Sequence, residues 1–248
     1  MQRYFVSNDS INIDLIHMNK DDHFHMQKVM RMRNGEHIIC IDESKQVFLC
    51  EVSNINNGEV KILEKLDENH ELDVRVRLVY GLPKLDKFEY VLQKCTELGV
   101  CEVVPFLSKR SLIRTDESRF TKKMERYQKI VKEACEQSER EQLVKVYPPM
   151  TLKDIVKLET NIGLVAYEEA SREGECMAFE ANLKAMKKGD TITIVVGPEG
   201  GLEKDEVDAF IKAGYQACSL GKRILRSETA PLYMMSVIGY YCELKEGQ

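Results

Sequence analysis

Two short segments hold most of the chemistry this chain could perform. The first follows the apolar run Thr191 to Val196, which leads directly into Gly197-Pro198-Glu199-Gly200-Gly201. Glycines at that density let a backbone bend sharply and come close to a ligand. The turn is a poor phosphate cradle. Neither the Walker nor the dinucleotide glycine pattern is present, Pro198 has no N–H to donate, and Glu199 would repel a phosphate. A fitting ligand would carry hydroxyls, amide-like edges or positive charge; otherwise the segment is a plain strand-to-helix turn. The second is Leu220-Gly221-Lys222-Arg223-Ile224-Leu225-Arg226-Ser227-Glu228-Thr229-Ala230-Pro231. Three cations crowd one loop beside Glu228, a group able to bind a nucleotide phosphate and polarise a base. The competing role for its Ser, Glu and Thr is to start a helix.

A third candidate lies at the end of a long helical stretch, Glu133-Ala-Cys-Glu-Gln137-Ser-Glu-Arg140. Glu133, Gln137 and Arg140 are spaced i, i+4 and i+7 and would share one face, whether functional or merely salt-bridged and exposed. The five histidines (17, 23, 25, 37 and 70) are scattered, and read as surface or packing residues. No Ser/His/Asp or Cys/His set and no metal-ligand spacing stands out, so no metal is expected.

The elements that must position these residues fall into two stretches. Residues 1–70 read as a small β-rich domain. Apolar runs at Tyr4–Val6, His37–Ile41, Val47–Val52 and Val60–Leu63 are separated by turn residues such as Asn34-Gly35 and Asn56-Asn57-Gly58. One helical piece, His23–Met32, interrupts them, and strands this short and closely spaced suggest a compact barrel. From 74 to 248 strands and helices alternate. Strands are expected at 74–80, 100–106, 143–147, 161–167, 191–196 and 217–220; helices at 84–98, 119–139, 152–158, 203–213 and 229–244. That rhythm is α/β with a mostly parallel sheet, whose ligands sit at the carboxyl ends of the strands.

Hydrophobic residues make up 43% and charged residues 31%, a globular balance, and 248 residues allow two domains. The net charge of -5 argues weakly against a nucleic-acid partner. Clustering argues the other way: Lys28, Arg31 and Arg33; Lys109, Arg110 and Arg114; and the series Arg119, Lys122, Lys123, Arg126, Lys129 and Lys132. Any one of these could be an ordinary solvated face; three point towards RNA. Eight cysteines without a Cys-x-x-Cys, mostly inside apolar runs, fit reduced thiols. With no signal-peptide core and no apolar stretch of ~18 residues, the expected location is the cytoplasm.

Taken together the motifs resemble the 16S rRNA (uracil-1498-N3)-methyltransferases of the SPOUT class. The likeness rests on Arg3-Tyr-Phe-Val6, His25 to Gly35, Lys94 to Gly99, Glu133 to Arg140, Gly197 to Gly201 and Leu220 to Ala230, in order along nearly the whole chain. Ser227 stands where the family pattern has Thr, and both carry a hydroxyl. The resemblance implies an N-terminal PUA-like RNA-binding barrel and a SPOUT catalytic domain with a trefoil knot. It also implies a homodimer and a uridine N3 in 16S rRNA, in the 30S subunit, as target. S-adenosyl-L-methionine, which has ribose hydroxyls, an adenine edge and a sulfonium, would lie against Ala166, Tyr167, Gly197 to Gly201, Leu220, Gly221, Ile224 and Leu225. Arg226, Arg140, Glu228 and Glu199 are the expected catalytic residues, with the choice of proton acceptor open. Arg3, Lys28, Arg31, Arg33, Lys109, Arg110 and Arg223 would meet RNA. The alternatives are a SPOUT methyltransferase acting on tRNA or another rRNA base, and a non-catalytic ribosome-assembly factor.

Overall fold

The turn signals of the first seventy residues cut the chain into strands of two to eight residues. A computed structural model describes residues 1–83, 85–111, 120, 122–171 and 178–245. It divides into two compact units, Met1–Glu71 with Cys135–Leu143, and Leu72–Ala134 with Val144–Gln248. Arg114, Arg119 and Cys176 lie outside the described residues.

In the first unit, β1 (Arg3–Phe5), β2 (Ile11–Asn12), β3 (Leu15–His17), β4 (His37–Ile41), β5 (Val47–Asn54) and β6 (Glu59–Leu66) form one curled sheet, a half-barrel, in the order β1-β4-β5-β6-β3-β2. Only β1 and β4 run parallel. β2 and β3 are too short to show an alternating pattern and were not expected. α1 (Lys20–Phe24) starts at Asn19, whose side chain accepts from the Asp22 N–H at 2.9 Å, and continues as one wider turn, His25–Val29. Tyr4, Ile16, Met26, Ile38, Cys40, Cys50, Val52 and Val60 form the core.

The boundary expected near residue 70 needs one amendment, because Cys135–Leu143 belongs with the first unit. A buried ion pair holds it there. Arg140, 2% exposed, donates from Nη2 to Glu71 Oε2 at 2.5 Å, and Glu71 also accepts from the Gln142 N–H at 3.0 Å. Arg3 is likewise buried, donating to Glu68 at 2.6 Å, while His70 and Glu141 meet at 2.6 Å. Removing one partner of a buried pair leaves an uncompensated charge, at a cost of about 3–5 kcal/mol. Arg140→Ala is therefore expected to lower the stability of this unit by that order in urea denaturation, with Arg140→Lys recovering part of the loss.

In the second unit, β7 (Arg75–Gly81), β8 (Val100–Phe106), β9 (Lys145–Val146), β10 (Ile162–Ala166), β11 (Thr191–Val196) and β12 (Gln216–Cys218) pair entirely in parallel, in the order β12-β10-β11-β7-β8-β9. Both faces are covered, so the strands read as unbroken apolar runs: β11 is buried from Ile192 to Val196. α2 (Leu85–Glu97) buries Phe88, Val91, Leu92 and Cys95, at about 1.5–3 kcal/mol for each large side chain. α3 (Met124–Gln137), α4 (Leu152–Ile155), α5 (Ala178–Ala185), α6 (Lys204–Lys212) and α7 (Thr229–Gly239) complete the unit, the last running on as one wide turn, Tyr240–Leu244. α5 was not expected from sequence; its pattern amounts to Phe179 and Leu183, one pair at i, i+4. The chain lays β7, β8 and β9 outward on one side, then crosses to build β10, β11 and β12 on the other. The carboxyl ends of β7, β10, β11 and β12 meet at that switch, where ligands bind in open parallel sheets. No helix among the described residues is long and apolar enough to cross a membrane.

Candidate active site

The loops leaving β10, β11 and β12 converge on one cavity of about 740 Å³. Small-molecule sites typically occupy ~300–1,000 Å³. Ala166 and Tyr167 line it from the first loop, Gly197, Pro198, Glu199, Gly200 and Gly201 from the second, and Leu220, Gly221, Ile224 and Leu225 from the third. The structure thus gathers the expected cofactor residues on one surface, although the Ile224 side chain is largely exposed.

Two glycines explain how the loops come this close. A Cβ on Gly81, at the end of β7, would stand 2.4 Å from Pro198 Cδ and 2.6 Å from Pro198 N, so only glycine lets the second loop pack there. Gly201 has a φ of 72°, and its N–H donates to Pro198 O at 2.8 Å, closing the turn. Arg110 braces the outside: Nη1 donates to Gly200 O at 3.0 Å and Nε to Glu203 at 2.7 Å. Lys109 pairs with Asp205 at the start of α6. Lys109 and Arg110, expected to meet RNA, are therefore neutralised by carboxylates here.

The electrostatic centre is Lys87, on α2, which no motif singled out. Its Nζ lies 3.0 Å from Glu228 Oε2 and 3.5 Å from Glu199 Oε1, and all three side chains are less than a third exposed. Partial burial works to raise the Glu228 carboxyl, but its own backbone N–H, the Lys87 ammonium and the Ser227 hydroxyl prevail and hold it below the ordinary carboxylate range. Ser227 Oγ donates to Glu228 Oε2 at 3.2 Å. Beside them the Tyr80 hydroxyl is buried, and burial drives its phenol well above the usual range, against a hydrogen bond with Ser227. Burial also pushes the Cys218 thiol, at the end of β12, up to about 12, which makes it a poor nucleophile at neutral pH.

The cationic loop differs from every other basic cluster near the cavity. Lys222, Arg223 and Arg226 line the cavity, and their side chains make no ion pair among the described residues. α3 ends at Gln137, Glu139 takes a left-handed φ of 60°, and the chain turns Arg140 inward to Glu71. The face it was expected to share with Glu133 and Gln137 does not form; Arg140 is 2% exposed and held by Glu71. Arg3, expected to touch RNA, is buried and paired with Glu68. In the first unit Lys28, Arg31 and Arg33 are exposed, alongside exposed Phe24, Val29 and Met30.

A family model described as an RNA methyltransferase domain matches residues 70–239, and one described as an RNA methyltransferase PUA domain matches 19–65. A protein of Bacillus subtilis (strain 168) named ribosomal RNA small subunit methyltransferase E is 39% identical over all of this chain and 99% of its own length. The chain belongs to the ribosomal RNA small subunit methyltransferase E family. A member from Synechocystis is 34% identical, covering 88% of this chain and 71% of its own. The crystal structure of the Neisseria gonorrhoeae member bound to S-adenosyl methionine superposes with a TM-score of 0.80 at 28% identity, covering 96% of each chain. Family membership agrees with a half-barrel preceding a parallel α/β sheet of SPOUT type.

Proposed function

We propose that this protein uses S-adenosylmethionine to methylate N3 of the uridine at position 1498 of 16S rRNA. The observation that carries the proposal is the cavity itself: a glycine-rich acidic loop on one wall and, on another, three cations without an ion pair among the described residues. The residues present fit the cofactor. The volume suits a nucleoside with an amino-acid tail, the glycines leave backbone edges accessible to adenine and ribose, and Glu199 and Glu228 suit a positively charged ligand. When bound, S-adenosylmethionine supplies a methyl group on a sulfonium, open to in-line displacement.

Uracil N3 bears a proton and becomes a good nucleophile only as that proton leaves, so the site must accept it or stabilise the anion. A carboxylate held ionised by Lys87 is a weak base, which favours the second route. Arg226 faces the developing charge, and Lys222 and Arg223 grip flanking phosphate. The N3 edge is occupied in paired RNA, so the target base must be unpaired or extruded.

The first unit supplies RNA affinity through Lys28, Arg31 and Arg33. Neutralising all three is expected to weaken RNA binding and lower the salt slope by about 2–2.7, about 0.7–0.9 per lost phosphate contact, with cofactor affinity unchanged. Fluorescence anisotropy across a salt series reads this directly. A homodimer and a trefoil knot belong to the same proposal. Tyr90 on α2 and Tyr233, Tyr240 and Leu244 on the last helix are exposed, which supports self-association, and sedimentation velocity measures it. The convergence of three loops on one cavity supports the knot.

The decisive assay incubates the purified protein with methyl-labelled cofactor and either naked 16S rRNA or 30S subunits lacking the modification. Label in 3-methyluridine at one site supports the proposal; label in tRNA, in another base, or nowhere refutes it.

A further inference from the structure

Lys87 reaches the cavity from α2, an element that the loop motifs do not include. Its partner Glu228 opens α7, and its other partner Glu199 sits in the loop after β11. One ammonium therefore joins the acidic turn to the end of the cationic loop. Lys87 and Glu228 also line a second depression, with Tyr90, Thr229 and Leu232, so the pair stands as a partition between two concavities. The Tyr80 hydroxyl is buried beside the pair. The groups facing Glu228 are Lys87 from α2, Ser227 beside it, Glu199 from the β11 loop and Tyr80 from β7.

We propose that Lys87 is a positioning residue of the methyl-transfer site, clamping the Glu199 carboxylate of one loop to the Glu228 carboxylate of the other and so fixing the separation of the two walls. This rests on the cofactor reading above. Without the ammonium, the Glu199 and Glu228 carboxylates lose the cation they share, and the loops they belong to drift apart. Together with the backbone N–H of Glu228, Lys87 also keeps Glu228 ionised against the burial that works to raise it.

The test uses the full-length protein and the variants Lys87→Met, Lys87→Arg, Glu228→Gln and Lys87→Met/Glu228→Gln. Thermal denaturation without ligand comes first. A clamp requires the double variant to be no less stable than Lys87→Met alone; additive losses would overturn the proposal. Should Lys87→Met not fold, Lys87→Gln takes its place in the cycle. Calorimetric titration with S-adenosylmethionine comes second. At neutral pH, Lys87→Met is expected to weaken binding about tenfold and Lys87→Arg no more than about threefold, within the range of coupling between contacting residues.

The pH dependence separates clamping from mere packing. Wild-type affinity should stay flat as pH falls from 8 to about 5, because Glu228 remains ionised. In Lys87→Met the ammonium no longer helps to oppose burial, Glu228 protonates at a higher pH than in wild type, and affinity for the cationic ligand should begin to fall at a higher pH than in wild type. A Lys87→Met profile parallel to wild type, offset by a constant factor, would mean Lys87 only fills space and would overturn the proposal. If wild type itself does not bind S-adenosylmethionine, the cofactor reading fails, while the ligand-free cycle still decides the clamp.

Discussion

Arg226→Ala is expected to lower single-turnover methylation by about 10²–10³-fold, the usual effect of removing one preorganised donor from a developing anion. Cofactor affinity, measured by calorimetry, should change by less than about threefold. The asymmetry follows from the charges around the cavity. Arg110 and Lys109 are neutralised by carboxylates, and Arg3 and Arg140 are locked in buried pairs. Arg226 has no ion-pair partner among the described residues and lines the cavity. A cation kept unpaired beside a ligand cavity has charge available for a transition state, and a loss seen in turnover rather than in cofactor binding would place it there. Arg140→Ala should instead cost stability. Unchanged turnover in Arg226→Ala would remove this residue from the chemistry.

Gly81→Ala should cost both stability and cofactor binding. The added methyl would meet Pro198 Cδ at 2.4 Å and Pro198 N at 2.6 Å, atoms of a ring and a backbone rather than the tip of a flexible side chain. Either β7 or the Gly197–Gly201 turn must move. Overpacking of this kind costs about 1–3 kcal/mol, which for a chain of this size lowers Tm by roughly 2–12 °C. Displacing the turn by about 1 Å should also weaken the productive geometry by about a hundredfold. Gly239→Ala in α7 is the control, since its new methyl meets nothing nearer than 3.9 Å. Differential scanning fluorimetry with and without cofactor reads both effects: Gly81→Ala should melt early and gain little from ligand. Wild-type melting and a wild-type ligand shift would mean that β7 and the turn are not tightly packed in solution.

Much of this was legible in the residues. The parallel sheet shows as apolar runs because each strand is covered on both faces, and the two loops show because glycine and clustered charge are local features. The rest depends on contacts between distant parts of the chain. Lys87 lies off the apolar stripe of α2 and reads as solvated until Glu228, 141 residues later, is brought to it. Arg140 keeps helical spacing with Glu133 on paper, yet the helix stops at Gln137 and a left-handed Glu139 redirects it. Arg3 lies within a matching motif, but its buried pairing with Glu68 shows only in the folded unit. The same pairings explain why Cys135–Leu143 joins a unit whose remaining residues end at Glu71.

Nucleoside mass spectrometry of small-subunit rRNA, from cells lacking this protein and from the same cells with it restored, tests the central claim most directly. The expected result is loss of one N3-methylated uridine at position 1498 in its absence and full recovery with wild-type protein, but not with Arg226→Ala. Undiminished methylation at that uridine without the protein would contradict it.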